Sequence, residues 1–139
     1  MIGIVVTGHG LFAVGMQSSA KMIAGENDHI KYVCFEDGMG LEELADKLNA
    51  AYNELAATDG IVVLSDLPGG SPFKTAVEAS MGHPDKQIVV LSGTNLPMII
   101  TASTMLSFET DPQALADELL FEGKDNVVRV ELADRKSVV

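Results

Sequence analysis

Four short apolar segments, evenly spaced and rich in β-branched residues, limit what this chain can fold into. They are residues 2–7 (IGIVVT), 30–35 (IKYVCF), 60–65 (GIVVLS) and 87–92 (QIVVLS). Three are almost continuously apolar, the pattern of strands buried on both faces of a parallel sheet. Helical patterns fill the gaps between them. Leu41, Leu44, Ala45, Leu48, Ala51, Tyr52 and Leu55 form an i, i+3, i+4, i+7 stripe, with Glu42, Glu43, Asp46, Lys47 and Glu54 on the opposite face. Further helices are predicted over residues 12–24, stopped near Gly25, and over 71–81, with Ser71 as N-cap and Pro72 as first helical residue. Two more are predicted over 95–106 and from Asp111-Pro112 to about Glu122. A last segment, 127–132, alternates apolar with polar residues, as an edge or antiparallel strand does. The alternation predicts one α/β domain over residues 1–139, a three-layer α/β/α sandwich on a mainly parallel sheet of order 2-1-3-4. Residues 133–139 are expected as a surface or partner-bound tail.

Charge narrows the partners. Nine basic residues against twenty acidic ones give a net −11. Such a chain repels nucleic acid and anionic lipid and favours basic partners. The only arginines, Arg129 and Arg135, lie near the C-terminus, so an earlier phosphate site must rely on backbone N–H groups or borrow an arginine. No apolar run reaches the roughly 18 residues of a membrane span. No basic segment precedes MIGIVV, so no secretory leader is expected. The single cysteine, Cys34, excludes an internal disulfide framework and fits a cytoplasmic location.

In an open α/β sheet, ligands bind outside the carboxyl ends of the strands where strand order reverses. Two strand ends here carry unusual residues, Thr7-Gly8-His9-Gly10 and Ser65-Asp66-Leu67-Pro68-Gly69-Gly70-Ser71-Pro72. With strand 2 on one side of strand 1 and strand 3 on the other, the two ends become neighbours and His9 can meet Asp66. A carboxylate on one ring N–H fixes the tautomer and leaves the other nitrogen as a nucleophile. Gly69, Gly70 and Ser71 read as a phosphate cradle, because a helix start presents free N–H groups and the positive dipole end to an anion. The natural electrophile for His9 is then a phosphoryl group. Gly8 and Gly10 would leave room for an incoming donor.

Each residue also has an ordinary reading. A histidine in a GHG turn is more often structural than reactive, Asp66 can be a turn former, and GGSP alone is a common helix start. Their joint placement at adjacent strand ends is what favours chemistry. His29 and His83 read as solvated, and Cys34 as a small apolar residue. Met16, Met22, Met81, Met98 and Met105 read as core or as surface covered by a partner. Lys74, one turn into the cradle helix, can solvate the helix face or meet phosphate. No metal site is expected, since His9 has no second histidine or cysteine at ligand spacing, and no cofactor is predicted.

Carried by VVTGHGLFAVGM, VVLSDLPGGSPF and SGTNLPMI, the sequence resembles, over nearly its whole length, the IIA component of the mannose class of the bacterial phosphoenolpyruvate-dependent sugar phosphotransferase system. The resemblance implies that His9 carries a phosphoryl group on Nε2, that Asp66 holds the other ring nitrogen, and that Ser71 and the amides of Gly69 and Gly70 contact the group. It implies phosphorylated HPr as donor and a histidine of a IIB subunit or domain as acceptor, serving the membrane components IIC and IID. It also implies a homodimer in which the 127–132 strand crosses to the partner's sheet. In relatives the residue after the Pro-Phe of the cradle is often Asn, whereas here it is Lys74. With the chain ending at Val139, a free-standing IIA subunit is expected.

Other functions fit less well. A histidine phosphatase or mutase would set an arginine beside its histidine. A receiver domain would carry an acidic cluster where His9 stands, and a flavin binder would need aromatic residues that a chain with no Trp and two Tyr hardly supplies. The phosphoryl-carrier subunit of dihydroxyacetone kinase systems shares the fold and the histidine and is kept as the alternative.

Overall fold

In the computed structural model, which describes residues 1–132, strands and helices alternate. The elements are β1 (Gly3–His9), α1 (Phe12–Ala24), β2 (Ile30–Phe35), α2 (Leu41–Glu54), β3 (Ile61–Ser65), α3 (Ser71–Ser80), β4 (Ile88–Leu91), α4 (Leu96–Met105) and α5 (Pro112–Asp125). The sheet is parallel throughout, with the expected order β2-β1-β3-β4.

Side-chain alternation along the central strands divides the core in two. Ile4 and Val6 of β1 and Val62 and Leu64 of β3 face α1, α4 and α5, where Ala13, Ile99, Ala102, Leu115 and Leu119 are fully or almost fully buried. Val5, Ile61 and Val63 face α2 and α3 and pack on Leu44, Leu48, Tyr52 and Ala76. Burial on both faces explains the near-continuous apolar runs, each such side chain contributing roughly 1.5–3 kcal/mol. The Tyr52 hydroxyl donates to Ala76 O at 2.9 Å, tying α2 to α3, and burial raises its pKa.

Local chemistry sets the helix ends. Gly25, at φ 78°, stops α1 and returns its N–H to Lys21 O. Asn95 and Asp111 cap α4 and α5 through side-chain oxygens that accept from Met98 N and Gln113 N. At α3 the expectation is corrected. Gly70 is the N-cap and Ser71 already the first helical residue, with no side-chain cap. The Ser71 hydroxyl is therefore not engaged by its own helix end.

Three further expectations change. β1 runs on to His9, because Gly8 and His9 still pair with Cys34 and Phe35 of β2 after pairing with β3 has ended at Thr7–Ser65. His83 is half-buried and tied down, its Nε2 lying 2.9 Å from Asn49 Oδ1 and its ring edge-on to Tyr52. The 127–132 segment forms no strand with its own chain, and Val127, Val128, Val130 and Leu132 stay 58–80% exposed. An alternating sequence becomes a strand only where an edge accepts its backbone hydrogen bonds. The expected tail, 133–139, lies outside the described residues.

Candidate active site

β1 and β3 lie side by side, so the loops leaving their carboxyl ends meet at the switch point of the sheet. His9 closes β1, with 45% of its side chain exposed, and Asp66 follows β3 with 12% exposed. Asp66 Oδ2 lies 2.8 Å from His9 Nδ1 and also accepts the His9 backbone N–H at 2.9 Å. Its Oδ1 accepts the Leu67 N–H at 2.9 Å. Burial alone would push this carboxyl up. The two hydrogen bonds from His9, the charge of the imidazole and the Leu67 N–H outweigh it and hold Asp66 below the ordinary carboxylate value.

The backbone that carries Asp66 is itself clamped. Gly93 N donates to Asp66 O at 3.1 Å, and Thr94 donates to Ser65 O through its N–H at 3.1 Å and its hydroxyl at 2.7 Å. The Ser65 hydroxyl donates to Leu91 O at 2.6 Å. The SGTN segment after β4 thus fixes the loop after β3.

Gly70 brings the cradle against the histidine. A Cβ there would lie 2.8 Å from His9 Cε1 and 3.5 Å from Nε2, so only glycine lets the loop approach this closely. Gly69, at φ 74°, turns the chain into that position. The first N–H groups of α3 lie at the same end, beside the ring edge that bears the free nitrogen. Gly8 serves a purpose other than the expected one. A Cβ at Gly8 would meet Phe12 Cδ2 at 2.5 Å and Asp66 Cγ at 2.9 Å, so its bareness accommodates packing and not a visitor. Gly10 does open outward, with nothing within 4 Å of a Cβ built there.

All five expected site residues, His9, Asp66, Gly69, Gly70 and Ser71, therefore meet at one end of the sheet. Two aromatic neighbours were not anticipated. Phe35 stands edge-on to His9, ring centroids 6.0 Å apart, and Phe12 packs against Gly8. The His9–Phe35 pairing follows from the β1–β2 register, which a single sequence does not reveal. Exposed Leu11 and Leu67 flank the pair along the chain. Among the described residues no group of three His, Cys, Asp or Glu side chains is placed to hold a metal ion.

The family described as the PTS system fructose IIA component matches residues 3–120. This chain belongs to that family. It is 34% identical over 120 residues to the mannose-specific EIIAB component of Escherichia coli (strain K12), a match covering 86% of this chain and 35% of that protein. The chain thus spans about a third of the length of the mannose-specific relatives it matches. It is 31% identical over 100 residues to the fructose-specific EIIA component of Bacillus subtilis (strain 168), covering 72% of this chain and 67% of that one. Among solved structures, component EIIA from Streptococcus agalactiae superimposes with a TM-score of 0.81 at 32% identity, covering 93% of this chain and 97% of that chain. The mannose/sorbose-specific IIA subunit from Enterococcus faecalis gives 0.81 at 32% identity, covering 94% and 95%. Nothing in these matches favours the dihydroxyacetone kinase alternative.

Proposed function

We propose that this chain is a phosphoryl carrier of the sugar phosphotransferase system, with His9 as the residue that is phosphorylated. The observation that carries the reading is the His9–Asp66 contact. With Nδ1 at 2.8 Å from Asp66 Oδ2, the proton sits on Nδ1 and the lone pair on Nε2 is free beside Gly70. That nitrogen attacks the phosphorus of a donor phosphohistidine. The donor's N–P bond breaks as the bond to Nε2 forms, and the donor imidazole leaves with its electron pair. The ring of His9 becomes cationic, and the Asp66 carboxylate offsets that charge. Gly69, Gly70 and Ser71 form the cradle for the phosphoryl oxygens at the positive end of α3, with the N–H groups of Gly69 and Ser71 and the Ser71 hydroxyl as donors, while the Gly70 N–H turns to Leu67 O at 3.4 Å. Transfer onward to a histidine of IIB is the same step in reverse.

Partners follow from the surface. Exposed Leu11 and Leu67 beside a half-exposed His9 offer an apolar rim, and the net charge of −11 suits a basic donor such as HPr. A IIB component would dock on the same face and pass the group toward a sugar admitted by IIC and IID. The reading puts the chain in the cytoplasm. Among the described residues no helix is long and apolar enough to cross a membrane. A homodimer that exchanges the 127–132 segment is part of the reading, supported by the exposure of its apolar side chains and by the half-buried edge strand β4.

Intact mass after incubation with phosphoenolpyruvate, the general phosphotransferase enzyme and HPr tests the role. One acid-labile phosphoryl group is expected on the wild type and none on His9→Ala. A wild type that stays unmodified beside active donors overturns the reading.

A further inference from the structure

The first turn of α3 breaks a rule of helix electrostatics. Acidic side chains belong at a helix N-terminus and cations at the C-terminus. This first turn has no acidic residue, and Lys74 stands one turn in, three residues after Ser71. Residues three apart share a helix face. Ser71 and Lys74 accordingly line one cleft of about 330 Å³ between α3 and α2, together with Glu78 of α3 and Leu41 and Glu42 of α2. Although two carboxylates share the cleft, Lys74 enters none of the ion pairs among the described residues. Lys21 pairs with Glu26, Lys31 with Glu54, and Lys86 donates to the carbonyls of Ala56 and Thr58, whereas Lys47 and Lys124, like Lys74, enter no ion pair among the described residues.

The direction of the side chain supplies the rest. On an α-helix the Cα–Cβ bond leans toward the N-terminus, so a long side chain lies over the preceding turn. The stem of Lys74 therefore runs toward Ser71 and Gly70, the end of α3 that meets His9 Cε1 and Nε2. An exposed ammonium with no carboxylate partner, placed against the helix dipole, makes physical sense if a dianion comes to that end.

We infer that Lys74 binds the phosphoryl group while His9 carries it, pairing its ammonium with the phosphoryl oxygens beside the N–H groups of α3. The inference rests on the carrier role of His9 proposed above. The pairing moves no proton and leaves the transfer step unchanged. What changes is the stability of the phosphorylated form. A chain with no arginine before Arg129 thereby carries its own cation for the group between donor and acceptor.

The test uses the full chain as wild type, Lys74→Gln, Lys74→Arg and Lys47→Gln. The last removes the same charge from a separate cleft, between α2 and β2. Each is phosphorylated through HPr. The phosphohistidine signal is then followed by phosphorus-31 resonance against pH, and the phosphorylated fraction at equilibrium with HPr is read by mass. Lys74→Gln is expected to raise the phosphoryl pKa by about half a unit and to lower the equilibrium constant about threefold, the scale of a solvent-exposed ion pair. Lys74→Arg and Lys47→Gln are expected to behave like the wild type. If Lys74→Gln titrates and equilibrates like the wild type, the inference is overturned while the carrier role stands. If it only slows exchange with HPr, Lys74 is a docking contact and the inference also falls. A wild type that takes no phosphoryl group overturns both, a separate outcome visible in the mass alone.

Discussion

Asp66 holds His9 at two points: the same carboxylate oxygen accepts the backbone N–H at 2.9 Å and faces ring Nδ1 at 2.8 Å. Position and tautomer of the ring are thus set by one side chain, itself pinned by the Leu67 N–H. Asp66→Asn retains the shape and loses the charge that balances a cationic ring. Phosphoryl transfer from HPr is expected to slow by about 10- to 100-fold, the scale of one charge-assisted hydrogen bond of 1.5–3 kcal/mol. Rapid-quench measurement of phosphoprotein formation checks it, and an unchanged rate removes Asp66 from the mechanism.

The same residue makes an acid-stability prediction. Its folded pKa lies below the ordinary 3.8, so the folded state favours the ionised carboxylate. That stabilisation is fully present above the unfolded value and fades as pH falls through the lower folded value. Urea unfolding of the wild type and of Asp66→Asn should therefore differ more at pH 7 than at pH 3. A difference that is constant across that range would mean that Asp66 contributes through shape alone.

The reach and limits of the sequence follow from what each signal depends on. β2 and α1 have the expected bounds because local chemistry sets them: a β-branched run for one, Gly25 for the other. The His9–Asp66 pair was legible because both residues close strands whose neighbourhood the βα alternation implies. The length of β1 was not, since its last two residues are held by β2 alone. Phe35 and Phe12 were missed for a related reason, because strand register and helix docking are tertiary facts. The alternation in 127–132 was real, but alternation alone does not make a strand, and the segment pairs with neither edge of its own sheet, β2 or β4.

Two glycines of the site separate packing from approach. At Gly70, φ is −72°, which any residue adopts, but a methyl would press on His9 at 2.8 Å. Gly70→Ala should keep its melting temperature and lose at least about tenfold in transfer, because reacting groups tolerate little displacement. Gly8→Ala would instead wedge against Phe12 and Asp66, with a stability loss of about 1–3 kcal/mol from overpacking. Thermal unfolding beside transfer assays resolves the two. The reverse pattern would mean that the loop, and not the ring, yields to the added methyl.

Association should depend on the C-terminal segment. Val127, Val128, Val130 and Leu132 expose apolar surface that no other described residue covers. Removing residues 127–139 is expected to convert a dimer into a monomer in sedimentation equilibrium while α5 and the core remain folded. A truncated chain that still dimerises with the affinity of the full one would place the interface elsewhere.

Behind the site, Thr7 offers a test of what the core tolerates. It is fully buried, and its hydroxyl has no hydrogen-bond partner among the described residues. Strand alternation sets it on the face of Val5, beside β3 residues Val63 and Ser65. A buried hydroxyl without a partner keeps its desolvation penalty, about 1–3 kcal/mol, while valine fills nearly the same volume with none. Thr7→Val should therefore stabilise the protein by about 1 kcal/mol, raising the urea midpoint with an unchanged slope. A loss of that size would show that the hydroxyl is satisfied in solution by a trapped water, and that the floor of the site is wet.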